Sequence, residues 1–94
     1  RGARIELAEA ARAAAEADII AAVTTSDTPV FPGAAVRPGT LVILGGANRP
    51  TAREADDVLI ARSTILADHL DGALTRAGDL VIPLASGVLS RDAI

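Results

Sequence analysis

The run Ile19-Ile20-Ala21-Ala22-Val23-Thr24-Thr25-Ser26-Asp27 decides how this chain folds. Five apolar residues without alternation predict a strand covered on both faces, as in a parallel sheet. A small polar cluster then closes the run, at what a parallel sheet makes its carboxyl end. The same signature recurs at Thr40-Leu41-Val42-Ile43-Leu44, followed by Gly45-Gly46-Ala47-Asn48-Arg49-Pro50. A third run, Ser63-Thr64-Ile65-Leu66-Ala67, puts strand centres about every 20 residues.

Helical stretches fill the intervals. Residues 7–17 are rich in Ala and Glu and lack Gly and Pro, which favours a helix with Leu7, Ala10, Ala11 and Ala14 on one face. Pro29, Pro32, Gly33, Pro38 and Gly39 then punctuate a loop with at most one helical turn. Residues 54–62 read as a short helix with Val58, Leu59 and Ala61 inward, and residues 69–77 as another. Gly78 is then the left-handed residue just past its end. Leu80-Val81-Ile82 reads as a strand-like segment broken by Pro83, and Ser90 with Asp92 as a helix start. Strands alternating with helices predict a parallel α/β sheet with right-handed crossovers, whose ligands bind outside the strands' carboxyl ends.

The composition excludes several classes. Ninety-four residues suit one small domain or a piece of a larger one. No Cys means no disulfide framework, thiolate zinc site or cysteine nucleophile. A net charge of -3 and a single aromatic residue, Phe31, argue against nucleic acid as a partner. No apolar run approaches the ~18 residues of a membrane span, and no signal peptide opens the chain. It begins on Arg and contains no Met, so we expect part of a longer protein. Of the 94 residues 21 are Ala, which bury little area each. Either marginal stability or a missing neighbour over exposed apolar faces should follow.

Each candidate site residue has two readings on position alone. Thr24, Thr25 and Ser26 hydrogen-bond a sugar or phosphate at the strand end, or cap the following turn. Gly45 and Gly46 admit a cofactor close to the backbone, or serve a turn that needs positive φ. Arg49 meets an anion, or is a solvated loop residue like the scattered Arg37, Arg53, Arg62 and Arg76. His69, the only histidine, reads as a surface residue at a helix start, and Asp56-Asp57 as favouring a helix dipole. No G-x-G-x-x-G, G-x-x-x-x-G-K or G-x-S-x-G occurs. The pattern is half of a nucleotide-binding fold without its phosphate grip.

The order of several short runs carries a resemblance. Asp18 through Phe31, Arg37-Pro38-Gly39-Thr40, Gly46-Ala47-Asn48-Arg49-Pro50, Arg53-Glu54, Ala67-Asp68, Ala77-Gly78-Asp79-Leu80 and Ile82-Pro83 together resemble the ornithine cyclodeaminase/mu-crystallin family. The resemblance implies an α/β fold: a Rossmann-like parallel sheet with flanking helices, incomplete because the first βαβ unit and its glycine fingerprint precede Arg1. Residues 1–94 would then be part of an NAD(P)-binding domain. It implies NAD or NADP as cofactor and hydride transfer with an amino-acid or imino-acid substrate. It also implies a cytoplasmic, homodimeric full-length parent.

By the same resemblance, Thr24, Thr25 and Ser26 lie beside the cofactor ribose and nicotinamide, and Gly45 and Gly46 let the nicotinamide approach the backbone. Asn48 stands where cyclodeaminases carry a general-base Asp. An amide cannot take that proton, so Asn48 would orient rather than accept. Leu41 and Ile43 replace the His and Asn frequent in the family's strand. A non-catalytic nucleotide-binding protein of the crystallin type is the alternative, or an inactive fragment.

Overall fold

The computed structural model describes residues 2–94. Four helices, α1 (Ala10–Glu16), α2 (Asp57–Arg62), α3 (Leu70–Arg76) and α4 (Gly78–Ser86), accompany two strands, β1 (Ile19–Ala22) and β2 (Leu41–Leu44). Single 3-10 turns form at Gly33–Ala35 and Arg91–Ala93. The strands run parallel, with Ile19 opposite Leu41 and Ala22 opposite Leu44. The ladder is extended at its ends by Leu41 N–H to Asp18 O (3.0 Å) and Gly45 N–H to Ala22 O (2.9 Å). A parallel pair flanked by short helices is the α/β class that the apolar runs predict: a Rossmann-like sheet, of which the described residues carry two strands. The connection between them, however, holds only the 3-10 turn and no crossover helix.

The sheet is covered on one face only. Ile20, Ala22, Val42 and Leu44 pack against a core of Ala14, Phe31, Val36, Leu59, Ile60 and Leu80. Ile19, Ala21, Leu41 and Ile43 alternate with them and face outward, so the expectation of two covered faces is corrected. The open face is the uncovered apolar surface that an Ala-rich chain of this length was expected to leave.

Several local readings change. Residues 63–67 form no strand: the segment is irregular and Leu66 is 93% exposed. A strand exists only in a ladder, and none of the described residues pairs with this run. Leu80-Val81-Ile82 belongs to α4, which continues through Pro83 to Ser86. Gly78 opens α4 rather than ending α3, and its φ is not positive. A side chain there would put Cβ 1.7 Å from the Ala52 carbonyl oxygen, so close approach, not handedness, requires glycine.

The first helix begins at Ala10 rather than residue 7, and Leu7 is fully exposed. α2 turns Leu59 and Ile60 inward and leaves Val58 half-exposed. Two arginines expected on a solvated surface hold loops instead. Arg37 donates to the carbonyls of Glu16 (3.0 Å) and Ala17 (2.9 Å) at the end of α1. Arg62 donates to Gly33 O (2.7 Å) and Val36 O (2.9 Å), fixing the 3-10 turn.

Candidate functional site

Both strands end on the same side, and the loops that leave them form one recess of about 300 Å³. Thr25, Ser26, Gly46, Asn48, Arg49 and Ala52 line it. Parallel strands make this juxtaposition unavoidable: the chain exits both at their carboxyl ends. Of the residues singled out in the sequence, Thr25, Ser26, Gly46, Asn48 and Arg49 therefore meet at one place. Thr24 lines a separate apolar groove beside α1 and β1. Gly45 extends the ladder and lines neither.

The hydroxyls divide by role. Thr24 Oγ1 accepts from Ser26 N–H (3.1 Å), and Ser26 Oγ donates to Thr28 O (2.7 Å). These two close the turn after β1, one of the two readings open to them. Among the described residues, Thr25's hydroxyl and Asn48's amide make no hydrogen bond. Both are exposed on the recess and free to meet a ligand. Arg49 is ion-paired with Asp27, which joins the loop after β2 to the loop after β1.

The wall behind the recess rests on a residue that sequence reasoning did not single out. Glu54 is wholly buried. Its Oε2 accepts from Thr24 N–H (2.6 Å) and its Oε1 from Gly46 N–H (2.7 Å), so one carboxylate ties the two strand ends together. Gly46 has no positive φ, which removes the turn-handedness reading. A Cβ there would lie 2.3 Å from Thr24 O and 2.7 Å from Glu54 Oε2. Gly46 is glycine because the two loops and the carboxylate close upon it. Gly45 is less constrained, with only Val23 Cγ2 near, at 3.5 Å.

A second buried acid supports the first. Asp79, in the first turn of α4, accepts through Oδ1 from the backbone N–H groups of Glu54 (2.7 Å) and Ala55 (2.8 Å). Burial pushes its carboxyl above the usual 3.8, and the Glu54 charge adds to this. The N–H bonds from Ala55 and Glu54, with the Arg53 charge, pull the other way. Neither acid was legible as part of a site. Glu54 sits in a polar stretch that reads as a helix start, and Asp79 beside an apparent helix end. Only their places in the family-like runs Arg53-Glu54 and Ala77-Gly78-Asp79-Leu80 hinted at them.

His69 lies away from the recess. It caps α3, its Nδ1 accepting from Gly72 N–H (3.0 Å). Among the described residues no group of three His, Cys, Asp or Glu is arranged to hold a metal ion. No described helix is long and apolar enough to cross a membrane.

Residues 3–92 match the model of the ornithine cyclodeaminase/mu-crystallin family. The chain belongs to this family. It is 42% identical over 82 residues to a Delta(1)-pyrroline-2-carboxylate reductase of Paracoccus denitrificans, a match covering 87% of this chain and 26% of that protein. The ketimine reductase mu-crystallin of Mus musculus is 36% identical over 66 residues, or 70% of this chain and 21% of the relative. Among solved structures, the Thermococcus litoralis Delta(1)-pyrroline-2-carboxylate reductase in complex with NADH and L-proline superposes with a TM-score of 0.89 at 32% identity. That alignment covers 94% of this chain and 27% of the other. The chain thus spans about a quarter of the length of the curated relatives it matches.

Proposed function

We propose that residues 1–94 are part of the nicotinamide-binding domain of an NAD(P)H-dependent imine reductase acting on a cyclic imino acid. One observation carries this reading. The side chains of Thr25 and Asn48, both without hydrogen bonds among the described residues, converge on a recess at the carboxyl ends of two parallel strands. The relatives named above, a pyrroline-carboxylate reductase and a ketimine reductase, both carry names for the reduction of a C=N bond.

The residues present fit a nicotinamide ring. About 300 Å³ lies at the small end of ligand pockets, room for one ring and its immediate substituents. Gly46 keeps the wall flat, Ala52 adds an apolar patch, and Asn48 offers both a donor and an acceptor to a carboxamide. Thr25 and Ser26, which line the same recess, would face the ribose in this reading, and Thr24 and Gly45 hold the backbone of the two strand ends. When bound, the nicotinamide supplies the hydride. Asn48 then orients; as an amide it accepts no proton, which disfavours cyclodeaminase chemistry.

That same amide favours a second reading, a protein that binds the cofactor without turnover. The proposal further takes the parent to be a homodimer of the cytoplasm, with no membrane partner and, in keeping with the net charge of -3 on these 94 residues, no nucleic-acid partner. Titration of the intact protein with NADH and NADPH tests the core of the reading. Saturable binding below about 1 mM is expected, weakened about tenfold or more in Asn48→Ala. No binding at that concentration overturns it. Turnover of a cyclic imino acid separates the enzyme from the silent binder, and sedimentation of the parent reads the dimer.

A further inference from the structure

A buried carboxylate stands directly behind the recess, and no cation among the described residues pairs with it. Glu54 is 0% exposed, and its carboxylate is 2.7 Å from the N–H of Gly46, a residue of the recess wall. Of the neighbouring arginines, Arg49 lines the recess itself but is paired with Asp27, whose charge offsets it, and Arg53 is paired with Asp57 at 2.7 Å. Among the described residues Glu54 has no ion-pair partner; its charge is balanced only by two backbone N–H dipoles. The second buried acid, Asp79, adds no positive charge. In surroundings of low polarity such a charge acts over several ångströms, and whatever fills the recess is within its field.

We propose that Glu54 is a positioning residue that fixes the recess wall and biases the recess toward the oxidised, positively charged nicotinamide ring over the reduced, neutral one. This rests on the reading that the recess takes nicotinamide. The two forms share ribose, pyrophosphate and carboxamide, so their difference in affinity isolates the charge of the ring. An opposite charge within about 8 Å, at the effective dielectric of a partly buried site, favours the cation about tenfold or more. Tighter binding of the oxidised form makes the bound reduced form a stronger hydride donor, the direction an imine reductase needs.

The experiment compares the intact wild-type protein with Glu54→Gln and Glu54→Asp by calorimetric titration with NAD+ and NADH, with melting curves confirming folding. In E54Q the Kd ratio of NAD+ to NADH is expected to rise about tenfold. In E54D, which keeps the charge, both affinities fall while the ratio stays within about twofold. Parallel loss of both affinities in E54Q means that Glu54 only supports the fold, and overturns the proposal, as does no change in either. If E54Q does not fold, the wild-type protein decides: NAD+ bound about tenfold or more tighter than NADH sustains the proposal, and equal or tighter binding of NADH overturns it. A wild-type protein that binds neither form fails the functional reading itself. One that binds both, with a ratio unmoved by E54Q, fails the electrostatic inference alone.

Discussion

Asp79 turns its carboxyl into the interior at the start of α4, where two backbone N–H groups meet one of its oxygens. An acid whose pKa in the folded protein exceeds 3.8 binds its proton more tightly folded than unfolded. Its contribution to stability is therefore fully present below the unfolded value and is lost as pH rises through the folded one. Asp79→Asn keeps an oxygen for both N–H groups and removes the ionisation. We expect the difference in melting temperature, wild type minus D79N, to fall as pH is raised from about 4 toward 7. A difference that is flat, or that rises, counts against a raised pKa. Glu54 is the contrasting case. With both oxygens committed to N–H donors, it leaves no isosteric neutral replacement that satisfies both.

At the scale of elements, caps and crossings hold the short helices. Six residues of α2 are too few to be stable on propensity alone. Asp56 anchors them, its Oδ1 accepting from Leu59 N–H and its Oδ2 from Gly33 N–H, both at 2.9 Å. Asp56→Ala removes a cap worth about 1 kcal/mol and strands the Gly33 N–H at a further cost of about 1–3 kcal/mol. A fall in Tm on the order of 10 °C is expected by calorimetry; a change within about 2 °C would contradict the double role.

β1 and β2 were readable in the sequence because an apolar run beside a polar cluster suits a strand wherever a second such run lies ready to pair with it. The run at 63–67 and Leu80-Val81-Ile82 carry the same local signal without a ladder to join. In both cases tertiary context decided, and α4 kept its helix despite Pro83. Strand-end logic located Thr25, Ser26, Gly46 and Asn48 because a sheet fixes where its chain exits. It missed Glu54 and Asp79, whose roles depend on a loop and a helix start folding back behind the strands.

The whole molecule is elongated, 42 × 24 × 21 Å with a radius of gyration of 13.4 Å. Residues 2–9 contribute no regular structure. Its most exposed apolar sheet surface comprises Ile19, Val23, Leu41 and Ile43, 49–74% exposed. Surface of this kind drives association. The 94-residue chain alone should sediment as a concentration-dependent mixture. Leu41→Thr combined with Ile43→Thr should shift it toward monomer with little loss of helical signal. A monomeric, concentration-independent wild-type chain would refute this.

Helix α4 contributes no residue to the recess, yet it is bound to it twice. Gly78 rests on the Ala52 carbonyl and Asp79 grips the backbone of Glu54. Whatever opens the recess wall must also loosen α4, and whatever fills the recess must restrain both. The helix is thus a built-in reporter of occupancy. Cofactor added to the intact protein should slow hydrogen exchange along Gly78–Ser86, whereas equal exchange with and without cofactor would mean that the wall and the helix open independently.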